Sequence, residues 1–239
     1  MSNQKKQNLG KLEPGKHERL SMPRIAPLEG EELNKVREKE QKIAISTIST
    51  IKKSDVSKLA KLLSEREKMI TPVLGEKTSI NVVKTLARHN DFYLRYTTFN
   101  IHTRFLSTLP PREKEILILR IAWLCYSNYE WSWHARGAKH GGLLSDDEIN
   151  RIMDGPEAQG WEPFDATLLR AVDELYTDTF ISDDTWNGLV KRYNTHQIMD
   201  LVFTVGNYNM LAMVINSFGV QLEEGLKSFL DNNQIPKMR

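Results

Sequence analysis

The sequence predicts an all-α protein, and three observations carry that prediction. No stretch alternates apolar and polar residues with the period of two that a half-buried strand shows. Helix start and stop signals recur along the chain, separated by short connections. The most apolar segment, Ile198 to Val220, holds Asp200, Asn207, Asn209 and Asn216. Four such groups are costly in a membrane span, so the segment reads as a helix buried inside protein on nearly all sides.

The elements follow in order. Residues 1–20 are rich in Lys, Gln and Glu without an apolar period, the composition of a disordered polar tail. Pro23 to Glu32 is an extended lead-in to a charged helix from about Glu31 to Ala44. The β-branched run Ile45–Ile51 suits strand or helix equally. Ser54 to Met69 places Val56, Leu59, Leu62 and Leu63 on one side of a helix. Ile80–Arg88 and Asp91–Ser107 read as a short and a longer helix. Pro110-Pro111 breaks the chain and starts the next, Arg112 to about Cys125. Gly141-Gly142 stops the helix after that. Ser145-Asp-Asp-Glu148 is a capping box, and its helix ends at Gly155-Pro156. Pro163–Asp178 follows. Ser182 is placed to cap Asp183–Tyr193, and Thr195 to cap the long apolar helix. On that helix Asp200 and Asn207 share one side, and Asn209 and Asn216 the opposite one. These stripes suggest two polar destinations, a pocket and a subunit interface, or else side chains that bond neighbouring carbonyls. The chain divides into the tail (1–20), an N-terminal helical extension (21–75), a helical domain (76–230) and a C-terminal tail (231–239).

Composition narrows the function. The 239 residues are 40% hydrophobic, enough for a sizeable core, and 27% charged with a net charge of +2. No basic face is apparent, which argues against nucleic acid as a partner. The single cysteine, Cys125, rules out an internal disulfide framework or a cysteine-rich zinc site and fits a reducing, cytoplasmic setting. The N-terminus lacks the apolar core of a secretory signal. His134 and His140, six apart, do not share a helix face as metal ligands would; His89, His102 and His196 sit near polar helix ends. No glycine-rich phosphate loop and no serine nucleophile elbow occurs.

The segment Leu119–His134 carries the chemistry. Glu130 precedes His134 by four residues, one above the other on a helix, among Tyr126, Tyr129, Trp131 and Trp133. A carboxylate there can hold one ring nitrogen and fix the tautomer, and aromatic walls that exclude water strengthen the coupling. Tyr129, Trp131 and Asn207 are candidate pocket walls. Arg120 lies in an otherwise apolar run, where a charge needs a reason; it can bind a substrate carboxylate in fork geometry or pair with a neighbouring acid, as can Arg112 and Arg136.

These residues resemble the carboxymuconolactone decarboxylase family, which also contains alkylhydroperoxidase D-like proteins. The resemblance rests on Pro23–Leu28, Leu109–Cys125, Tyr129–His134, Gly141–Ile149, Leu168–Leu175, Leu201–Leu211 and Asn216–Val220, with an apparent insertion around Ile43 to Thr71. It implies an alkylhydroperoxidase D-like all-helical fold that assembles as a homotrimer or hexamer. The peroxidase branch uses two cysteines, a histidine four residues after the second and a glutamate twelve before the first. On this chain His134 and Glu115 take the histidine and glutamate places, whereas Ser127 and Glu130 take the thiol places. A hydroxyl and a carboxylate cannot perform thiol redox chemistry. The resemblance therefore implies the decarboxylase branch: a lyase needing no metal or organic cofactor, acting on a small unsaturated lactone or carboxylic acid, with catalytic residues His134, Glu130 and Glu115. The alternatives are alkylhydroperoxidase-type peroxide reduction and a catalytically inactive oligomeric binding protein.

Overall fold

The computed structural model describes residues 26–49, 80–224 and 226. The polar tail, the expected helix at Ser54–Met69, most of the insertion and the C-terminal tail lie outside the described residues.

Those residues form helices α1 (Gly30–Ser49), α2 (Asn81–Leu86), α3 (Asn90–Ile101), α4 (Pro111–Leu124), α5 (Asn128–His140), α6 (Asp146–Asp154), α7 (Pro163–Thr177), α8 (Asp183–Leu189) and α9 (Thr195–Phe218). No strand occurs among them. The β-branched run resolves as helix as far as Ser49.

Helix α4 is the axis of the main core. Ile116, Leu117, Leu119 and Ile121 are fully shielded, because α4 is covered by α5, α6, α7 and α9. That explains its nearly continuous apolar sequence. Each such side chain contributes roughly 1.5–3 kcal/mol by leaving water. A second core joins Leu33 and Val36 of α1 to Tyr93 and Tyr96 of α3, Tyr129 of α5 and Ile215 of α9. The extension thus packs on the domain rather than standing apart.

Helix ends follow the sequence closely, with three corrections. The Ser145–Glu148 capping box is formed in both directions. The long helix is capped by Asn194 with Gln197, not by Thr195, because the reciprocal amide pair satisfies two backbone donors where a lone hydroxyl satisfies one. Helix α8 stops at Leu189, and Tyr193 turns its hydroxyl inward to donate to Glu113, which also receives Arg192. Helix α3 ends at Ile101 and continues as a π-helical turn over His102–Leu106. The wider turn serves Asp200, which accepts from the Thr108 backbone N–H (2.6 Å) and hydroxyl and pairs with His102 at 2.8 Å. Burial would raise the Asp200 carboxyl, but these bonds together hold it below its usual range.

Helix α9 is long and apolar enough to cross a membrane, yet half of its most apolar window is buried against other helices. Its two amide stripes both face inward. Asn207 donates to Asn100 and Thr103 on one side; on the other, Asn216 donates to the Cys125 carbonyl and Asn209 accepts from the Cys125 thiol. Within the chain, both stripes therefore have polar partners. Met199, Val202, Phe203, Met210 and Met213 of the same helix are exposed instead.

Candidate active site

The site is organised where α4 hands over to α5. The chain leaves α4 through Tyr126, which adopts a left-handed φ of 52°. The Ser127 N–H bonds the Ala122 carbonyl (2.9 Å) and the Tyr126 N–H the Trp123 carbonyl (3.0 Å), the pattern of a helix end that glycine usually occupies. A tyrosine there costs of order 1–2 kcal/mol. Such strain persists where surrounding structure over-determines it, often at functional sites. The turn sets the direction of α5, and α5 carries both Glu130 and His134.

His134 Nδ1 lies 2.8 Å from Oε2 of Glu115, which projects from α4. Their side chains are 17% and 16% exposed, sheltered but reachable. On the other side, the Tyr208 ring of α9 stands edge-on to the imidazole, centroids 5.0 Å apart. The carboxylate thus fixes which imidazole nitrogen faces the protein, and the tyrosine fixes the ring plane.

Glu130 is placed differently from the sequence expectation. It makes no hydrogen bond to His134, and neither of its oxygens has a partner. As the third residue of α5 its side chain leans toward the helix N-terminus, over Ser127, while Glu115 reaches His134 across the α4–α5 interface. Burial drives the Glu130 carboxyl well above its usual range, and the nearby Ser127 hydroxyl opposes this only weakly. Burial therefore favours the protonated, neutral form of the Glu130 carboxyl.

Other unsatisfied groups gather around it. Ser127 Oγ, Tyr96 Oη and Asn207 Oδ1 are buried without hydrogen-bond partners. Burial raises the phenols of Tyr96 and Tyr208 above the ordinary tyrosine value. A Glu130 charge would raise both further, and Arg104 on the π-helical turn opposes this. These couplings place Tyr96, Tyr208, Glu130 and Arg104 in one neighbourhood. No carboxylate pairs with Arg104 among the described residues. A shallow apolar depression, lined by Leu86, Phe92, Met210, Leu211 and Val214, lies against Tyr96.

Three expected binding residues are committed elsewhere. Arg120 grips both oxygens of Asp173 (2.6 and 2.8 Å) and the carbonyls of Ile152 and Met153, closing the end of α6. Gly155, with φ 89°, makes room for it: a Cβ there would lie 2.8 Å from the guanidinium. Tyr129 donates to Glu223 at 2.6 Å and accepts from the Val82 N–H, which fills its hydroxyl. Trp131 is fully buried in the core, tilted against Trp123. Of the expected walls, Asn207 alone joins the polar neighbourhood. Arg112 likewise binds Asp165 and Glu148 rather than facing the site. Sequence reasoning missed Tyr96, Tyr208 and Arg104. Tyr208 follows Asn207 in the chain, but nothing in the sequence marks the other two.

Cys125 donates to Asn209 at 3.2 Å and forms no disulfide. Among the described residues, no three His, Cys, Asp or Glu side chains stand close enough to hold a metal ion.

Fold and site together define an all-helical protein of the alkylhydroperoxidase D-like type. It is similar in structure to a protein of unknown function from Agrobacterium tumefaciens, described as a putative antioxidant defence protein AhpD (TM-score 0.54, 20% identity, covering 62% of this chain and 99% of that one). It is also similar to an uncharacterised peroxidase-related protein from Silicibacter sp. TM1040 (TM-score 0.56, 15% identity, covering 91% of this chain and 97% of that one). At such identities the likeness shows the fold alone. No curated protein matches the chain. Residues 90–174, which span α3 to α7, match the model of the carboxymuconolactone decarboxylase family.

Proposed function

We propose that the protein is a cofactor-independent lyase of the carboxymuconolactone decarboxylase type, acting by proton transfer on a small unsaturated lactone or carboxylic acid. The observation that carries this reading is the sheltered Glu115–His134 pair beside a chain that holds Ser127 and Glu130 at the positions of the redox thiols. In the proposed reaction the bond from ring carbon to carboxylate breaks and CO2 leaves. Its electron pair is delocalised toward the lactone carbonyl oxygen. The imidazolium of His134 then gives its proton to carbon, while Glu115 holds the Nδ1–H, and solvent restores the proton. Arg104 is the cation available for an acidic group of the substrate.

The test follows CO2 release from a carboxylated unsaturated lactone. His134→Ala is expected to cut the rate by about 10²–10⁴, the usual worth of a placed general acid. An unchanged rate in that variant overturns the assignment. The rival reading, peroxide reduction, is supported by how the two structural relatives are described. With a single cysteine in the chain, thiol-based reduction runs through Cys125, so hydroperoxide reduction that persists in Cys125→Ser removes that thiol route, and a wild type that reduces no hydroperoxide removes the reading itself. We also propose that the protein is cytoplasmic and self-associates as a homotrimer or hexamer through the exposed apolar face of α9. A monomer in sedimentation analysis contradicts the second point.

A further inference from the structure

A buried carboxyl without a hydrogen bond is costly, and a folded protein keeps one only where something offsets it. Here several such groups share one neighbourhood, contributed by three elements: Tyr96 from α3, Ser127 and Glu130 from the start of α5, and Asn207 from α9, beside Tyr96. Helix α5 opens without a side-chain cap, although Ser127 and Glu130 have the spacing of a capping box. The two side chains that would close that helix end are therefore left available, and the positive end of the α5 dipole points the same way. The charged groups around them are Arg104 on the π-helical turn and Glu115 on α4, the latter already paired with His134. The nearest phenols are Tyr96 and Tyr208.

We propose that Glu130 and Tyr96 form an oxyanion hole, two neutral O–H donors directed at one carbonyl oxygen of the substrate, with Ser127 as a third polar contact. This rests on the acid–base reading of the Glu115–His134 pair. Loss of CO2 places negative charge on the lactone carbonyl oxygen, and that oxygen must be stabilised before carbon takes its proton. A neutral carboxylic acid donates a hydrogen bond there, whereas a carboxylate would repel the charge. A phenol beside a protonated carboxyl is the arrangement known from ketosteroid isomerase, where it serves an enolate oxygen. In a dry site such donors act without reorganising. The substrate class that follows is an acid whose cleavable bond is conjugated with a carbonyl.

The experiment uses 4-nitrophenolate, whose oxygen mimics an enolate and whose absorbance reports binding. The full-length protein is expected to bind it. Tyr96→Phe and Glu130→Leu are expected to weaken binding at least tenfold each, and Glu130→Gln, which keeps an N–H donor, to restore part of it. His134→Ala is expected to leave phenolate binding within about twofold while cutting turnover by about 10²–10⁴, so the hole and the dyad fail separately. Infrared difference spectra between the wild type and Glu130→Gln at pH 7 should contain the carbonyl stretch of a protonated carboxylic acid. Absence of that band, or phenolate binding indifferent to both Tyr96→Phe and Glu130→Leu, overturns the proposal.

Discussion

Arg120 on α4 and Glu130 on α5 sit at 7% and 3% exposure, each an ionisable residue inside a largely apolar helix pair. Arg120 makes four hydrogen bonds, two to Asp173 and two to backbone carbonyls, and a glycine is kept opposite it to give it room. Glu130 makes none. The first is a charge used as scaffold: it joins α4 to α7 and closes α6. The second has only the Ser127 hydroxyl near it and no hydrogen bond of its own, so a role in holding a ligand is proposed for it rather than one in the scaffold. Burial is common to both; what differs is whether the buried group is satisfied.

Removing the satisfied charge should be the most damaging change. Arg120→Ala leaves Asp173 uncompensated and uncovers the α6 carbonyls, and is expected to lose about 3–5 kcal/mol in urea denaturation. A loss below 1 kcal/mol would mean that the network is ornamental and the contrast empty.

Glu130 should respond with the opposite sign. Its folded-state pKa is raised by burial, so the stability it permits is fully present below the unfolded value, about 4.3. That stability is lost as pH rises from there toward the folded pKa, because the unfolded chain releases the proton first. Glu130→Gln removes this dependence. It should equal the wild type near pH 4 and surpass it at pH 8, the gap growing by at most about 1.4 kcal/mol per pH unit. Parallel stability curves would show Glu130 ionised in the folded protein.

How much of this was legible in the sequence follows from the range of each signal. Helix boundaries are local: Pro110-Pro111, Gly141-Gly142 and the Ser145–Glu148 box each mark an end within one turn, and the structure keeps them. The break at Tyr126 carried no glycine to announce it, because the αL position is imposed by tertiary packing. The pairing of Glu130 with His134 failed for a related reason. Spacing by four places two side chains on one face but does not say which neighbour each meets, and Glu115, nineteen positions upstream of His134, reached the imidazole first. Family resemblance named Glu115; local periodicity had no means of doing so. Arg120 was singled out correctly as a charge needing a reason, but the reason lay in Asp173 and Gly155 on other segments. Tyr96 and Arg104 stand in a stretch that reads as ordinary helix, and only the π-helical turn and the packing of α9 bring them to the site.

Caps supply a calibration between those extremes. Ser145 bonds the Glu148 N–H at 3.2 Å and is exposed, so Ser145→Ala should cost about 1 kcal/mol in thermal or urea unfolding and leave turnover unchanged. A cost as large as that of Arg120→Ala would mean that α6 is held by its cap rather than by the arginine beneath its far end.

The smallest stability effect is expected at Arg104, where the comparison is sharpest. Arg104 is a cation like Arg120, but no carboxylate offsets it among the described residues, and its backbone carbonyl, not its guanidinium, is what Lys114 binds. Half-buried and stacked on Phe105 at 5.2 Å, it contributes little to the folded state, so Arg104→Ala should change stability by less than about 0.5 kcal/mol. Its electrostatic reach is inward, to the phenols of Tyr96 and Tyr208. If it receives an acidic group of the substrate, the substitution should raise KM at least tenfold with a smaller change in kcat. The wild-type KM should also rise with ionic strength, and the variant should lose that salt dependence. Equal losses in stability and in KM would place Arg104 with Arg120 as scaffold, and the polar neighbourhood around Glu130 would then have no cation of its own.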